Sequence, residues 1–175
     1  MDASNAGGEF SRGATLKDLI ELCRNLNQAG ARYIVIGGFA VIHHGYFRGT
    51  NVIDLLVETS LQNLEKVKIA LLALPDKAIK EIEPAEIAKY QVIRVADEVV
   101  VDLMTLACGI SYEQAEADIE FKVLENVQIP FLKPGLLIKT KDTFRPVDQA
   151  DRAYLQELIK RQKEDQEKKK PWWRW

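Results

Sequence analysis

The sequence predicts an α/β (α+β) domain, a mixed sheet flanked by helices with a helical segment at its C-terminal end. Three observations lead there. Short β-branched runs such as Tyr33-Ile34-Val35-Ile36 alternate with segments whose apolar residues recur at helical spacing. Two pairs of strand-like runs are joined by very short turns, which is how antiparallel hairpins read in sequence. The chain then closes on a long charged stretch with Pro146 at its start, where proline suits the first turn of a helix.

Element by element, Thr15 is a candidate N-cap, with Asp18 in the favourable first turn and Leu16, Leu19, Ile20, Cys23 and Leu26 at helical spacing. Gly30 ends that helix. Tyr33 to Ile36 is a buried strand stopped by Gly37-Gly38, and Phe39 to His44 is helical, closed by Gly45. Ile53 to Glu58 reads as a second buried strand, after which Ser60 caps a helix running to about Leu74, before Pro75. Residues 78–89 have no clear period, and Pro84 interrupts them. Tyr90 to Val95 and Glu98 to Leu106 form a hairpin through Ala96-Asp97; Phe121 to Leu124 and Val127 to Phe131 form another through Glu125-Asn126. Ser111 begins a short acidic helix, Leu136 to Lys141 is helical, and the last helix runs from Pro146 through at least Lys160.

The 175-residue chain has 47% apolar and 29% charged residues, ordinary for one globular domain. Its formal charge of −2 gives no global attraction to nucleic acid or membrane. Cys23 and Cys108 lie in apolar stretches without metal-type spacing and read as small buried hydrophobes of a reducing, cytoplasmic protein. No apolar run reaches the roughly 20 residues of a membrane span, and no signal peptide opens the chain. Residues 1–13, glycine-rich and without apolar period, read as a flexible segment or tag remnant; the domain is expected over 14–165. Residues 166–175 form a basic tail ending in Pro171-Trp172-Trp173-Arg174-Trp175. Three tryptophans expose too much apolar surface to remain free, so the tail is expected to pack on its own domain or on a second copy in a homodimer, with stacking on single-stranded RNA as the alternative.

The chemistry concentrates in residues 33–57. A strand entering two glycines and a helix turns free backbone N–H groups outward, where a triphosphate can be held. In Val52-Ile53-Asp54-Leu55, strand alternation turns Val52 and Asp54 to one face. Asp102, in Val100-Val101-Asp102-Leu103, is a second acid in a β-branched run; it needs a bound cation or, alternatively, a salt bridge to a nearby Lys or Arg.

These three elements resemble the nucleotidyltransferases of the DNA polymerase β-like superfamily. Ala40-Val41, His44-Gly45, Arg48 and Thr50 extend the likeness to small bacterial members, some of them toxins of toxin–antitoxin modules. Downstream, Thr140-Lys141 and Arg145-Pro146 with Asp148 and Asp151 match as well. The resemblance covers about residues 16–160 and implies a nucleotidyltransferase fold. It also implies magnesium-dependent transfer of a nucleotidyl group from an NTP to a hydroxyl on RNA, a protein or a small molecule. In active members three acids hold two Mg²⁺ ions about 4 Å apart. Carried over, Gly37 and Gly38 line the phosphates, and Asp54 and Asp102 are the metal-binding, catalytic acids. Arg48 and Thr50 belong to the nucleotide-binding set, while His44, Lys141 and Arg145 are weaker candidates.

The chain departs from that pattern at Val52, where the first metal-binding aspartate is expected. Valine offers no oxygen, and the Asn51 side chain points to the other face of the strand. An impaired enzyme and a catalytically inactive module binding nucleotide, RNA or protein are therefore both compatible with the sequence. His43-His44 invites a metal reading, but successive helical side chains diverge by about 100° and are not expected to share an ion. Asp148 and Asp151 are explained by the favourable first turn of the last helix.

Overall fold

The structure, a computed structural model, describes residues 11–169. Helix α1 (Leu16–Gln28) is capped by Thr15, whose hydroxyl accepts from the Asp18 N–H while the Asp18 carboxylate accepts from the Thr15 N–H. Strand β1 (Tyr33–Ile36) runs directly into α2 (Gly37–His43), and β2 (Val52–Val57) is followed by α3 (Leu61–Leu71), capped by Ser60. The undecided stretch holds a 3-10 turn, Ala78–Glu81, and a single-turn helix α4 (Pro84–Ile87), each too short to show a period. Strands β3 (Val92–Ala96) and β4 (Val100–Met104) come next, then α5 (Tyr112–Ala115) with Ser111 as its cap. Strands β5 (Ile119–Leu124) and β6 (Val127–Leu132) precede α6 (Pro134–Leu137), a further 3-10 turn Ile138–Lys141, and α7 (Pro146–Lys168).

The strands form one six-stranded mixed sheet in the order β3-β4-β2-β1-β6-β5. Pairing is antiparallel for β1 with β2, β3 with β4 and β5 with β6, and parallel for β2 with β4 and β1 with β6. The α/β class expected from the sequence is therefore present, with its mixed sheet and flanking helices. The β5–β6 turn is tight because Glu125 and Asn126 both adopt positive φ, 47° and 62°, as a two-residue type I′ turn requires. The β3–β4 turn is one residue longer than the sequence suggests, since Ala96 pairs with Val100.

Ile34, Ile53, Leu55, Val101 and Leu103 are fully buried with Leu19, Leu26, Leu64 and Val67 from α1 and α3. Each such side chain contributes roughly 1.5–3 kcal/mol by leaving water. The chain is already held at Ser11 and Arg12. Ser11 Oγ donates to the Asp97 carbonyl, and Arg12 bridges to Val99 and forms ion pairs with Asp18 and Glu98. Cys23 is buried as expected, but Cys108 is exposed. Its backbone takes φ 48° in a tight turn where Ala107 and Ile110 bridge, which throws the side chain out of the apolar run around it. No helix among the described residues is long and apolar enough to cross a membrane. The tryptophan-rich tip lies outside the described residues.

Candidate functional site

The sheet register assembles the site. Arg94 pairs with Asp102, Asp102 with Asp54, and Asp54 with Ile36, so the four residues form one row across β3, β4, β2 and β1. Residues in register on adjacent strands share a face. Val52 and Val100 form the next row, and both remain partly accessible, as does Asp54, whereas Ile53 is fully buried. Val52 and Asp54 thus share the open face, and Asn51, expected to turn away, borders the same opening.

A cleft of about 510 Å³ opens above this row. Gly37, Gly38, Arg48, Thr50, Asp54, Asp102, Lys141 and Arg145 all line it, so the structure brings together every site residue expected from the sequence except His44. His44 lies at the far end of α2, where its Nε2 is 2.8 Å from the Leu132 carbonyl and its own carbonyl accepts from Tyr154.

The two glycines have a steric cause that holds whatever the cleft binds. Gly37 has φ +64°, and a Cβ there would lie 2.7 Å from Asp54 Cβ and collide with its carboxylate. A Cβ on Gly38 would lie 2.6 Å from Thr50 Cβ and 3.2 Å from Arg48 Nη1. Only glycine lets the strand-to-helix turn press down on the acid.

The two acids differ in their partners. Arg94 grips Asp102 through two bonds, Nε to Oδ1 at 2.9 Å and Nη2 to Oδ2 at 2.8 Å. Asp54 has no ion-pair partner among the described residues; it accepts from the Gly38 N–H. Burial raises its pKa, the charge of Asp102 raises it further, and Lys141, Gly38 and Arg145 only partly oppose this, leaving it pushed up to about 6. A carboxyl with a raised pKa favours its neutral form in the fold. Its stabilising preference is complete below its ordinary value of 3.8 and is lost as pH rises through about 6. At pH 7 the charged Asp54 therefore costs stability, at most about 3 kcal/mol. Asp54→Asn is expected to stabilise the metal-free protein at pH 7 and to flatten its stability profile between pH 4 and 7. Urea midpoints at pH 5 and pH 7 test this, and an unaltered profile would mean that Asp54 is not the strained acid of the cleft.

A buried ion network closes the other wall. Asp151 is fully buried and receives Arg48 through Nε and Nη2, both at 2.8 Å, and Lys141 Nζ at 2.9 Å. Lys141 also contacts Asp148 at 3.2 Å, and Asp148 accepts from Thr143 Oγ1 at 2.6 Å. Burial tends to raise the Asp148 pKa, but Thr143 and Lys141 outweigh it and hold the carboxyl below its usual range. Arg48 spends its remaining Nη1 on the Gly49 carbonyl. The helix-terminus explanation of Asp151 is thus too small: this acid anchors α7 to the Arg48 loop and to Lys141. Arg145, with a side chain 73% exposed, is a cation at the cleft mouth, 3.8 Å from Asp148.

Arg94 is the residue that sequence reasoning missed. A two-residue turn at Ala96-Asp97 would set Arg94 opposite Val99; the longer turn slides the register and sets it opposite Asp102. Cys108, misread as buried, also lines the cleft. The helical-divergence argument against His43 and His44 fails as well. Both rings approach Glu120, with one ligand atom from each of the three residues within 4.8 Å of the other two.

The residues fit one divalent cation better than two. Asp54 and Asp102 supply two hard oxygen donors side by side, while Val52 supplies none where a second ion needs a shared ligand. No protein-family model matches this chain, and no curated protein matches it significantly in sequence.

Proposed function

We propose that this chain is a nucleotidyltransferase-fold protein whose cleft binds a nucleoside triphosphate with Mg²⁺ and transfers its nucleotidyl group slowly to a hydroxyl acceptor. The observation that carries the reading is Asp54: a carboxylate without an ion-pair partner among the described residues, next to Asp102 and directly under the Gly37-Gly38 turn. Arg94 already compensates Asp102, whereas the charge of Asp54 beside it remains unfavourable until a further cation joins the pair. Asp54 and Asp102 would hold the ion, which when bound neutralises phosphate charge and eases deprotonation of the attacking hydroxyl. Gly37 and Gly38 keep the floor of the cleft open to a phosphate chain. Arg145 at the mouth adds a positive charge for it, and the Asp151 network fixes the wall carrying Arg48 and Lys141. Arg48 acts here as a positioning residue, since each of its three nitrogens already bonds to Asp151 or Gly49.

Incubation with each α-labelled NTP, Mg²⁺ and either bulk RNA or cell-lysate protein tests the reading. Slow label incorporation that disappears with Asp54→Ala is expected. Absence of both label transfer and nucleotide retention would sink it.

The Arg94–Asp102 pair favours a second reading, a non-catalytic module that binds nucleotide, RNA or protein through the same cleft. Arg94 supplies Asp102 with the positive charge that a metal would otherwise bring. Mg²⁺-dependent nucleotide retention without any transfer would select this reading.

A further inference from the structure

His43 and His44 are the chain's only two histidines, and both lie at the end of α2 remote from Gly37 and Gly38. The helix is regular as far as His43, whereas His44 is its cap, with φ −80° and ψ 9°. The rings stand edge to face with centroids 4.9 Å apart. His43 is fixed by stacking on Phe131, 4.0 Å between centroids and 5° between planes. Phe131 pairs with Glu120 across β6 and β5, so the Glu120 side chain rises on the face that the histidines cover.

The atoms facing each other are ligand atoms. His44 Nε2 lies 2.8 Å from the Leu132 carbonyl oxygen, which can only accept, so Nε2 carries a proton and Nδ1 is the nitrogen left to face an ion. That Nδ1 lies 3.9 Å from Glu120 Oε2, and His43 Nε2 lies 3.8 Å from Glu120 Oε1. Both separations exceed normal hydrogen-bond length. One ligand atom from each of the three residues lies within 4.8 Å of the other two.

We infer that His43, His44 and Glu120 form a binding site for one transition-metal ion of the Zn²⁺ class, with a further coordination position open to solvent. Imidazole donors suit Zn²⁺, Ni²⁺, Cu²⁺ or Co²⁺ and not Mg²⁺ or Ca²⁺. A histidine that donates its second ring N–H to a backbone carbonyl is the usual support of a metal ligand. Tetrahedral Zn²⁺ with bonds near 2.0–2.2 Å sets its ligand atoms about 3.4 Å apart. The three groups therefore need to draw together, and Glu120, half-exposed on the edge strand, can move toward the rings. Burial, the neighbouring His44 and Lys122 lower the His43 pKa against the pull of Glu120. Lys122 is the cation that opposes the ion, and its exposed side chain can swing away.

The test is titration of the full chain, without a histidine tag, with Zn²⁺ and with Co²⁺, the latter followed by its visible absorption. One equivalent is expected to bind at micromolar concentration, giving the intense bands of tetrahedral Co²⁺ without a thiolate charge-transfer band. Glu120→Gln, at an exposed edge where folding is not at risk, is expected to weaken binding at least tenfold, as is His43→Ala. Saturating Zn²⁺ should raise the melting temperature of the parent chain and not that of Glu120→Gln, because the ion joins β5 to the end of α2. Asp54→Ala should leave Zn²⁺ binding intact, so the outcome is independent of the nucleotide cleft. No stoichiometric binding, or binding that survives Glu120→Gln or is abolished by Cys108→Ser, would overturn the inference.

Discussion

Asp151→Ala is expected to lower the unfolding free energy by about 3–5 kcal/mol, the usual cost of leaving buried charge uncompensated. Asp151 is 0% exposed and carries three short contacts from two cations, Arg48 and Lys141. Removing it leaves the Arg48 guanidinium, whose side chain is only 18% exposed, with no carboxylate. Lys141 would retain Asp148 alone. In a domain of this size the loss corresponds to a fall in melting temperature on the order of 10 °C. The Arg48→Met/Asp151→Leu double replacement is expected to recover much of it, because an apolar pair no longer requires solvation. Urea denaturation of both variants measures the difference. A single-variant cost under about 1 kcal/mol would show that the network is solvated and does not lock α7 onto the cleft wall.

Val52→Asp is expected to raise label transfer by roughly 10²-fold, the scale of one well-placed electrostatic contact at a reacting centre. The side chain is partly accessible and shares the open face with Asp54, so an aspartate there is nearly isosteric and faces the cleft. It would add the shared oxygen ligand that Val52 lacks. Without metal, a third carboxylate beside Asp54 and Asp102 is repulsive. The variant should therefore melt lower than the parent chain in EDTA and recover when Mg²⁺ is added. Asp54→Ala or Asp102→Ala in the Val52→Asp background should abolish the gain. Unchanged transfer together with metal-independent melting would remove Val52 from the metal face.

Much of the architecture was legible because it is local. Thr15 and Ser60 cap helices where their side chains satisfy first-turn N–H groups, the Ser111 N–H donates to Gln114 at the start of α5, and Glu125-Asn126 turns a hairpin with both residues at positive φ. The grouping of Gly37, Gly38, Asp54 and Asp102 was legible from motif spacing, and the sheet register brings them to one cleft. What escaped depends on contacts distant in sequence. The Arg94–Asp102 pair hinges on a β3–β4 turn that begins one residue later and is one residue longer than the sequence suggests. Asp151 is read as a helix-terminus acid until Arg48, 103 positions earlier, folds against it. Glu120 meets the histidines only because β5 pairs with β6 on the sheet edge. Cys108 follows backbone strain in a turn, which overrides the apolar character of its neighbours.

Calorimetric titration of the parent chain and of Val52→Asp with each Mg²⁺·NTP is the most direct test that the Asp54–Asp102 row is the floor of a nucleotide site. At least one nucleotide is expected to bind the parent chain in a Mg²⁺-dependent manner, more tightly after Val52→Asp and not measurably after Asp54→Ala. Equal affinity in the parent chain and Val52→Asp, or nucleotide binding that persists unchanged in Asp54→Ala, would contradict it.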